Sequence, residues 1–475
     1  MTEVRNILKR LPVGIQTFSE IIEGGYLYVD KTGLMYDMVH LSKYIFLSRP
    51  RRFGKSLLAS TLEAYFQGRR DLFQGLAIER LEKDWTQYPV VRMDMSTLRG
   101  EDAVAVKGKL CNYLRDLAAD HAVSLPDGYR TPGELLTLII KGLYKESGRR
   151  AVIIIDEYDA PLLDVMSAPA MEDIRKVMQE LFAPLKALDA MLRFVFITGI
   201  TKFSQLSIFS TLNNLVNISM QKEYASICGF TEEEVFSVFR GHIEQMSREL
   251  GLTVEELEDT LKQRYDGYHF SEVSPDIYNP FSILKVFAQK RLQSYWFESG
   301  TPTFLISAMR HFETDILSLI EGMNLPASAF DQPTEAMEDA LPLLYQGGYL
   351  TIKGYNPIGM SYNLQMPNAE VREGLLSNLL PMITGRPASE SSSVQSRFVS
   401  QWYEGKYDEA LTGIKSFLAS IPYPEFGKML RKESYYEVLM YVLFASAMTN
   451  GNVHTQLKIA RGRVDMVLTL PDTVT

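Results

Sequence analysis

Ile45-Phe-Leu-Ser-Arg-Pro-Arg-Arg-Phe-Gly-Lys-Ser56 runs from an apolar, strand-like stretch through a basic turn into a helix-like segment, closing on Gly-Lys-Ser. In a phosphate-binding loop the glycine lets backbone amides wrap an anion, the lysine reaches the β- and γ-phosphates, and the serine hydroxyl ligates Mg2+ at a helix N-terminus. Gly54, Lys55 and Ser56 suit those roles, and the binding segment is taken as Arg51, Arg52, Phe53, Gly54, Lys55, Ser56 and Leu57. Arg49 stands where the full pattern has its first glycine. The plainer reading is a basic surface turn that contains Gly-Lys-Ser by accident. Three guanidinium groups, on Arg49, Arg51 and Arg52, could meet a nucleotide, a protein carboxylate or a nucleic-acid phosphate, and the first two are preferred.

Outward from the loop, the first two hundred residues alternate short apolar runs with longer amphipathic ones, the pattern of a parallel sheet with crossover helices. Strands are expected at Tyr26 to Val29, Tyr44 to Ser48, Val90 to Met93, Ala151 to Ile155 and Phe194 to Thr198. Helices are expected at Ser56 to Gln67, Ala103 to Ala119, Pro132 to Tyr144 and Met171 to Leu188. The strands read as continuous apolar runs, so both faces of the sheet should be covered.

Two later strand ends strengthen the phosphate reading. Ala151-Val-Ile-Ile-Ile-Asp-Glu-Tyr-Asp159 ends in adjacent carboxylates, the Walker-B arrangement. There Asp156 would hold the Mg2+ shell and Glu157 would polarise the attacking water. Taken alone, Asp-Glu is equally a solvated strand end. Leu192-Arg-Phe-Val-Phe-Ile-Thr198 ends in a threonine that could sense the γ-phosphate, with Thr201 as second choice, though a β-branched residue also simply finishes a strand well.

From about Phe230 helical patterns take over. Thr231-Glu-Glu-Glu234 and Thr253-Val-Glu-Glu256 both read as capping boxes. A helical, lid-like domain is expected over 230–384, after a core over 1–229. The Ser-rich stretch Gly385 to Ser393 reads as a linker, and a third domain is expected over 394–475. Helices near Tyr407 to Leu418 and Leu430 to Ala447 then precede strand-like runs at Val453 to Ile459 and Val464 to Leu470.

With these motifs in hand, a resemblance is plain. Tyr28-Val-Asp-Lys-Thr32, Ser48-Arg-Pro-Arg-Arg-Phe-Gly-Lys-Ser-Leu-Leu58, Asp156-Glu-Tyr-Asp-Ala-Pro161, Thr198-Gly-Ile-Thr-Lys-Phe-Ser204, Ser210-Thr-Leu-Asn-Asn-Leu215 and Tyr265-Asp-Gly-Tyr268 resemble the bacterial AAA-ATPase-like family. The resemblance implies an ATP-binding, P-loop AAA-type module, and an Arg-rich loop lacking its first glycine is usual in that family. It also implies a PD-(D/E)XK nuclease-like domain behind the ATPase. Glu433 in Arg431-Lys-Glu433 and Asp465 in Gly462-Arg-Val-Asp465 resemble the first two nuclease carboxylates, where Mg2+ would activate water against a phosphodiester. No Glu-x-Lys follows in Met466 to Thr475, so a degenerate or shortened nuclease fold that does not cut DNA is expected.

Smaller features carry less. Asp30 reads best as a helix cap or salt-bridge partner beside Lys31. Asn213 and Asn214 could touch nucleotide or cap a turn. Asp266-Gly267 is a turn signal, and Arg264 beside it is either a phosphate-sensing or an ordinary surface arginine.

Composition bounds the whole. With 475 residues the chain exceeds one small module, and 49 Lys and Arg against 58 Asp and Glu give a net charge of −9. Extensive polyanion binding is therefore disfavoured, leaving nucleic acid only a local patch. Two cysteines, Cys111 and Cys228, make no disulfide framework and no metal cluster, which suits a reducing compartment. The N-terminus lacks the apolar core of a signal peptide, and Val438 to Met448 is about half a membrane span, so a cytoplasmic location is expected. The expected activity is Mg2+-dependent ATP hydrolysis, with ATP and Mg2+ as cofactors and a homo-oligomer admitted. The rivals are an ATP-regulated nucleic-acid processing protein and a nucleotide-binding interaction module with little turnover.

Overall fold

The computed structural model describes the chain except residues 1–7, 127, 129–130, 164, 166–169, 202–208, 210–211, 213, 300–304, 306–307, 310, 313, 332–336, 385, 421–431, 448–451, 460–461, 471–472 and 475. Its organising element is a five-stranded, all-parallel sheet. The strands are β1 (Tyr44–Ser48), β2 (Val90–Asp94), β3 (Ala151–Asp156), β4 (Leu192–Gly199) and β5 (Val216–Asn217). Their order is β2-β3-β4-β1-β5, so the loop after β1 opens beside the ends of β4 and β3. Every residue of β3 is buried, which requires cover on both faces. Crossover helices Lys55–Phe66, Ala103–Asp120, Pro132–Ser147 and Met171–Ala187 supply it, within three residues of their expected bounds.

One expected strand is absent. Tyr26 to Val29 forms no ladder: Leu27 N–H donates to Arg10 O at 2.9 Å, while Leu27 and Val29 are buried. Alternating burial mimics a strand, but here it belongs to an extended connector lying beside Phe18, whose ring meets Tyr28 at 5.4 Å. The fifth strand is the two-residue β5, too short to stand out as an apolar run.

Contact clustering divides the chain into two units, residues 1–292 with 324–364, and residues 293–323 with 365–475. These cut across the 229/230 and 384/394 boundaries expected from sequence. In the first unit, the capping boxes at Thr231/Glu234 and Thr253/Glu256 are both formed, opening helices Glu232–Val238 and Val254–Tyr265. The region after 230 is not purely helical. A short antiparallel pair, β6 (Phe230–Thr231) and β7 (Ile277–Tyr278), precedes a three-stranded sheet of β8 (Met323–Pro326), β9 (Thr351–Asn356) and β10 (Ser361–Gln365), ordered β8-β10-β9.

In the second unit, helices Ala369–Thr384, Ala388–Tyr403, Tyr407–Ser420 and Lys432–Ala447 precede an antiparallel sheet of β11 (Asn452–Ile459), β12 (Gly462–Leu470) and β13 (Thr473–Val474). The Ser-rich stretch expected as a linker is, from Ala388, a helix. Phe398 and Trp402 on its later turns pack against Phe444, and small Ser391 fits where the surface closes. Packing at one end of the helix outweighs the weak propensity of serine at the other. Among the described residues no helix is long and apolar enough to cross a membrane.

Candidate nucleotide-binding site

The site is built at the carboxyl edge of the parallel sheet, where open α/β sheets receive ligands. β1 delivers the chain into the loop, and Arg49 N–H continues the β1/β4 pairing by donating to Gly199 O at 3.2 Å. Gly54 turns the chain at φ +95°, a conformation other residues rarely adopt, and directly precedes the helix Lys55–Phe66. Lys55, 6% exposed, folds back so that Nζ donates to Arg49 O and Pro50 O, each at 3.0 Å. Burial pushes the Lys55 ammonium below its ordinary pKa, while Asp156, Glu157 and Asp159 pull it back up. An ammonium tethered only by carbonyls, with three carboxylates near it, is poised to exchange its partners for an entering polyphosphate.

Across the sheet edge stand the β3 carboxylates. Asp156 is 1% exposed and accepts the Glu157 amide at 3.0 Å. Burial raises the Asp156 pKa; the Ser56 hydroxyl, hydrogen-bonded to it, and Lys55 lower it. Hydroxyl and carboxylate oxygens already in reach of each other are hard donors of the kind Mg2+ takes, so Ser56 and Asp156 fit the ion. Among the described residues no group of three or more His, Cys, Asp or Glu is arranged to hold a metal. The remaining ligands of such an ion would come from phosphate and water, which is usual for Mg2+.

Glu157 is partly exposed, with its backbone in the left-handed region at φ +50°, unusual for a residue with a Cβ. Burial raises its pKa first, and the neighbouring Asp156, Asp159 and Asp94 raise it further against the pull of Lys55. A carboxylate shifted upward toward neutrality is a better proton acceptor than an ordinary one.

The structure thus brings Gly54, Lys55, Ser56, Asp156 and Glu157 together. The other candidates have different surroundings. Thr198 is fully buried and donates its hydroxyl to Leu47 O at 2.7 Å, so its side chain bridges β4 to β1. Thr201, the second choice, donates instead to Asp159 at 2.6 Å. Arg49 is 1% exposed: its guanidinium donates to Ser48 O, Ser219 O and Tyr224 O at 2.9, 2.7 and 3.0 Å and lies 4.1 Å from the Phe270 ring centre. Phe53 is fully buried, ringed edge-on by Tyr268 and Phe270, so of this residue only the backbone borders the loop's mouth. Arg51, Arg52 and Leu57 keep partial exposure, and the Arg52 guanidinium sits 3.5 Å over Phe281.

The lesser features also resolve. Asp30 precedes the Lys31 N-cap of the helix Thr32–Leu41 and ties its start down by accepting Thr32 N–H at 2.8 Å and Ala77 N–H at 2.7 Å. Lys31 pairs with Glu234 at 2.5 Å. Asn214 is exposed, Arg264 lies in the last turn of its helix, and Asn213 falls outside the described residues. Glu433 opens the helix Lys432–Ala447 and Asp465 lies on β12, but their side chains are outside the described residues.

Sequence reading gave no role to Asp159 or Asp94. Asp159 is fully buried; one oxygen accepts Ile200 N–H, Thr201 N–H and the Thr201 hydroxyl at 3.0, 2.7 and 2.6 Å, tying the turn after β4 to the end of β3. The signal was its place in Asp-Glu-Tyr-Asp, whose last residue reaches sideways to β4. Asp94 is in register with Asp156, which only strand pairing could disclose.

Comparison with known proteins agrees with this geometry. The family model AAA-ATPase_like, described as Predicted AAA-ATPase, matches residues 12–209. An uncharacterized protein in the vnfD 5′ region of Azotobacter chroococcum mcd 1 is 35% identical over 478 residues, covering 97% of this chain and 87% of that protein. Among solved structures, Cdc6p from Pyrobaculum aerophilum aligns with TM-score 0.31 at 11% identity, covering 76% of this chain and 98% of its own. The ORC2 protein of Aeropyrum pernix, in ADPNP-ADP complexes, aligns with TM-score 0.21 at 11% identity, over 73% and 93%. The two structural likenesses are too slight to carry weight.

Proposed function

Because this chain belongs to the AAA-ATPase-like family, we propose that it binds ATP with Mg2+ and hydrolyses it. The observation that carries the proposal is the meeting of Lys55, Ser56, Asp156 and Glu157 at one sheet edge, from two segments a hundred residues apart. Lys55 and the amides that follow Gly54 would neutralise the β- and γ-phosphates. Ser56 and Asp156 would hold Mg2+, which supplies charge neutralisation of the phosphates when bound. Glu157 would take the proton of the attacking water at its carboxylate, and its raised pKa matches that task.

The test is ATP binding and turnover by the full chain beside Lys55→Ala and Glu157→Gln. Lys55→Ala should weaken ATP by at least about tenfold, and Glu157→Gln should keep binding while turnover falls by about 10²-fold or more. Undiminished turnover in both variants would sink the proposal.

A second reading, an ATP-regulated nucleic-acid processing role, draws support from the helix Lys432–Ala447 leading into the β11/β12 hairpin, with Glu433 and Asp465 on those elements. Stimulation of ATP turnover by added DNA would bring it forward; indifference to DNA and RNA would leave the first reading standing alone.

A further inference from the structure

The loop from Arg49 to Gly54 holds one glycine, so its shape must be imposed by something other than backbone freedom. Rings from residues 268–281, over two hundred positions away, lie against it. Phe270 lies beneath the Arg49 guanidinium at 4.1 Å, and Phe281 beneath Arg52 at 3.5 Å. Phe53 is held edge-on by Tyr268 at 4.9 Å and Phe270 at 5.3 Å. Asn279 Nδ2 reaches Arg51 O at 3.5 Å, while its Oδ1 caps the helix Pro280–Gln289 by accepting the Phe281 amide at 2.9 Å. Gly229 N–H, at the same wall, donates to Phe53 O at 3.0 Å.

Arg52 shows what this wall does. Its backbone sits at φ +67°, a conformation a non-glycine residue holds only when its surroundings over-determine it. A guanidinium face-on to Phe281 on one side of the residue, and Phe53 locked between two rings on the other, supply that determination. The amides of Gly54, Lys55 and Ser56 follow directly and inherit their direction from it.

We propose that Phe270, Asn279 and Phe281 are positioning residues for the nucleotide: a clasp from the 268–281 segment that sets the phosphate loop in its anion-binding shape through Arg49, Arg52 and Phe53. The proposal rests on the loop being the ATP site. It differs from simple core packing in one respect. A clasp acts on the phosphate-binding amides, so its loss should grow more harmful with each phosphate that the loop must hold, whereas loss of packing alone would lower stability and leave relative affinities untouched.

Phe281 is partly exposed, so Phe281→Ala should fold. The experiment measures affinities for ATP, ADP and AMP, and hydrogen exchange of the 52–56 amides without nucleotide, in the full chain and in Phe281→Ala, Phe281→Tyr and Phe270→Leu. Expected for Phe281→Ala and Phe270→Leu is ATP weakened by about tenfold, the scale of one desolvated cation–π contact, ADP weakened by less, and AMP within about twofold. Loop exchange should quicken by a similar factor, and Phe281→Tyr, which keeps the ring face, should restore both. ATP affinity and loop exchange at wild-type levels in Phe281→Ala and Phe270→Leu would overturn the clasp. If Lys55→Ala binds ATP as the wild type does, the ATP reading fails instead, and the exchange rates still decide whether the clasp shapes the loop.

Discussion

Asp266 is a residue whose charge the fold opposes. It follows the helix Val254–Tyr265, is 3% exposed, and has its pKa pushed up from 3.8 to about 7. Burial is the main cause; Asp276 and Glu232 add to it, and the Gly267 amide and Lys262 oppose it. The Tyr278 phenol, whose own pKa burial and then the Asp266 charge raise, stands near it, while His269 and Lys353 turn toward Asp276 at 2.6 and 3.6 Å. The folded value lies above the unfolded one, so the folded state holds an extra proton between them. The contribution of Asp266 is therefore fully favourable below about pH 4 and is lost as pH rises through about 7. Asp266→Asn should flatten that dependence and stabilise the protein at pH 8 by on the order of 2–4 kcal/mol. Urea midpoints at pH 5 and pH 8 check this: a variant as pH-sensitive as the parent disproves it.

Other single residues divide by how local their evidence is. That Lys55, Ser56, Asp156 and Glu157 would meet at one sheet edge could be read because each stands at a short offset from a strand end. The bond from the Thr198 hydroxyl to Leu47 O could not be read, since it depends on β4 lying beside β1. Phe270 and Phe281 were hidden because what gives them meaning, Arg49 and Arg52, lies over two hundred residues away.

Among the elements, the helix Lys55–Phe66 owes its start to Gly54. A Cβ there would meet nothing within 4 Å, yet φ is +95°, so the obstacle is backbone conformation and not space. Gly54→Ala should cost about 1–3 kcal/mol of strain or move the Lys55 and Ser56 amides off their line. Thermal unfolding together with ATP affinity reports both, and a variant unchanged in each would contradict the account. The same logic separates legible elements from hidden ones. Long crossover helices announce themselves through 3.6-residue periodicity, and buried parallel strands through runs such as Val152 to Ile155. β5 and β7 are two residues each and exist only through their neighbours. Tyr26 to Val29 has the alternation of a strand without a ladder to join.

At the scale of the whole molecule, the first unit is assembled from two stretches, 1–292 and 324–364, so its interior depends on residues that follow a departure into the second unit. Thr351 Oγ1 accepts the His269 amide at 2.6 Å, and Lys353 Nζ donates to Gly267 O at 2.7 Å, so the later stretch holds the turn that carries Phe270. A chain ending at Leu292 should therefore lose cooperative unfolding, in spite of containing the whole parallel sheet, whereas the full chain keeps it. Calorimetry of both decides the matter; a sharp transition in the fragment would show the later stretch to be dispensable. Such interleaving is invisible to composition: a composition shift marks a change of local character, and membership of a core is decided by contacts that composition does not record.

Arg49 in the place of a glycine has a thermodynamic consequence. Glycine-rich loops are supple when empty, and part of the free energy of ligand capture goes into stilling them. With its guanidinium already fastened to carbonyls of Ser48, Ser219 and Tyr224, this loop undergoes that loss of freedom once, when the chain folds. Nucleotide capture should then carry a smaller entropic penalty than it does on a glycine-rich loop, and its heat should vary little with temperature beyond what apolar burial of the base accounts for.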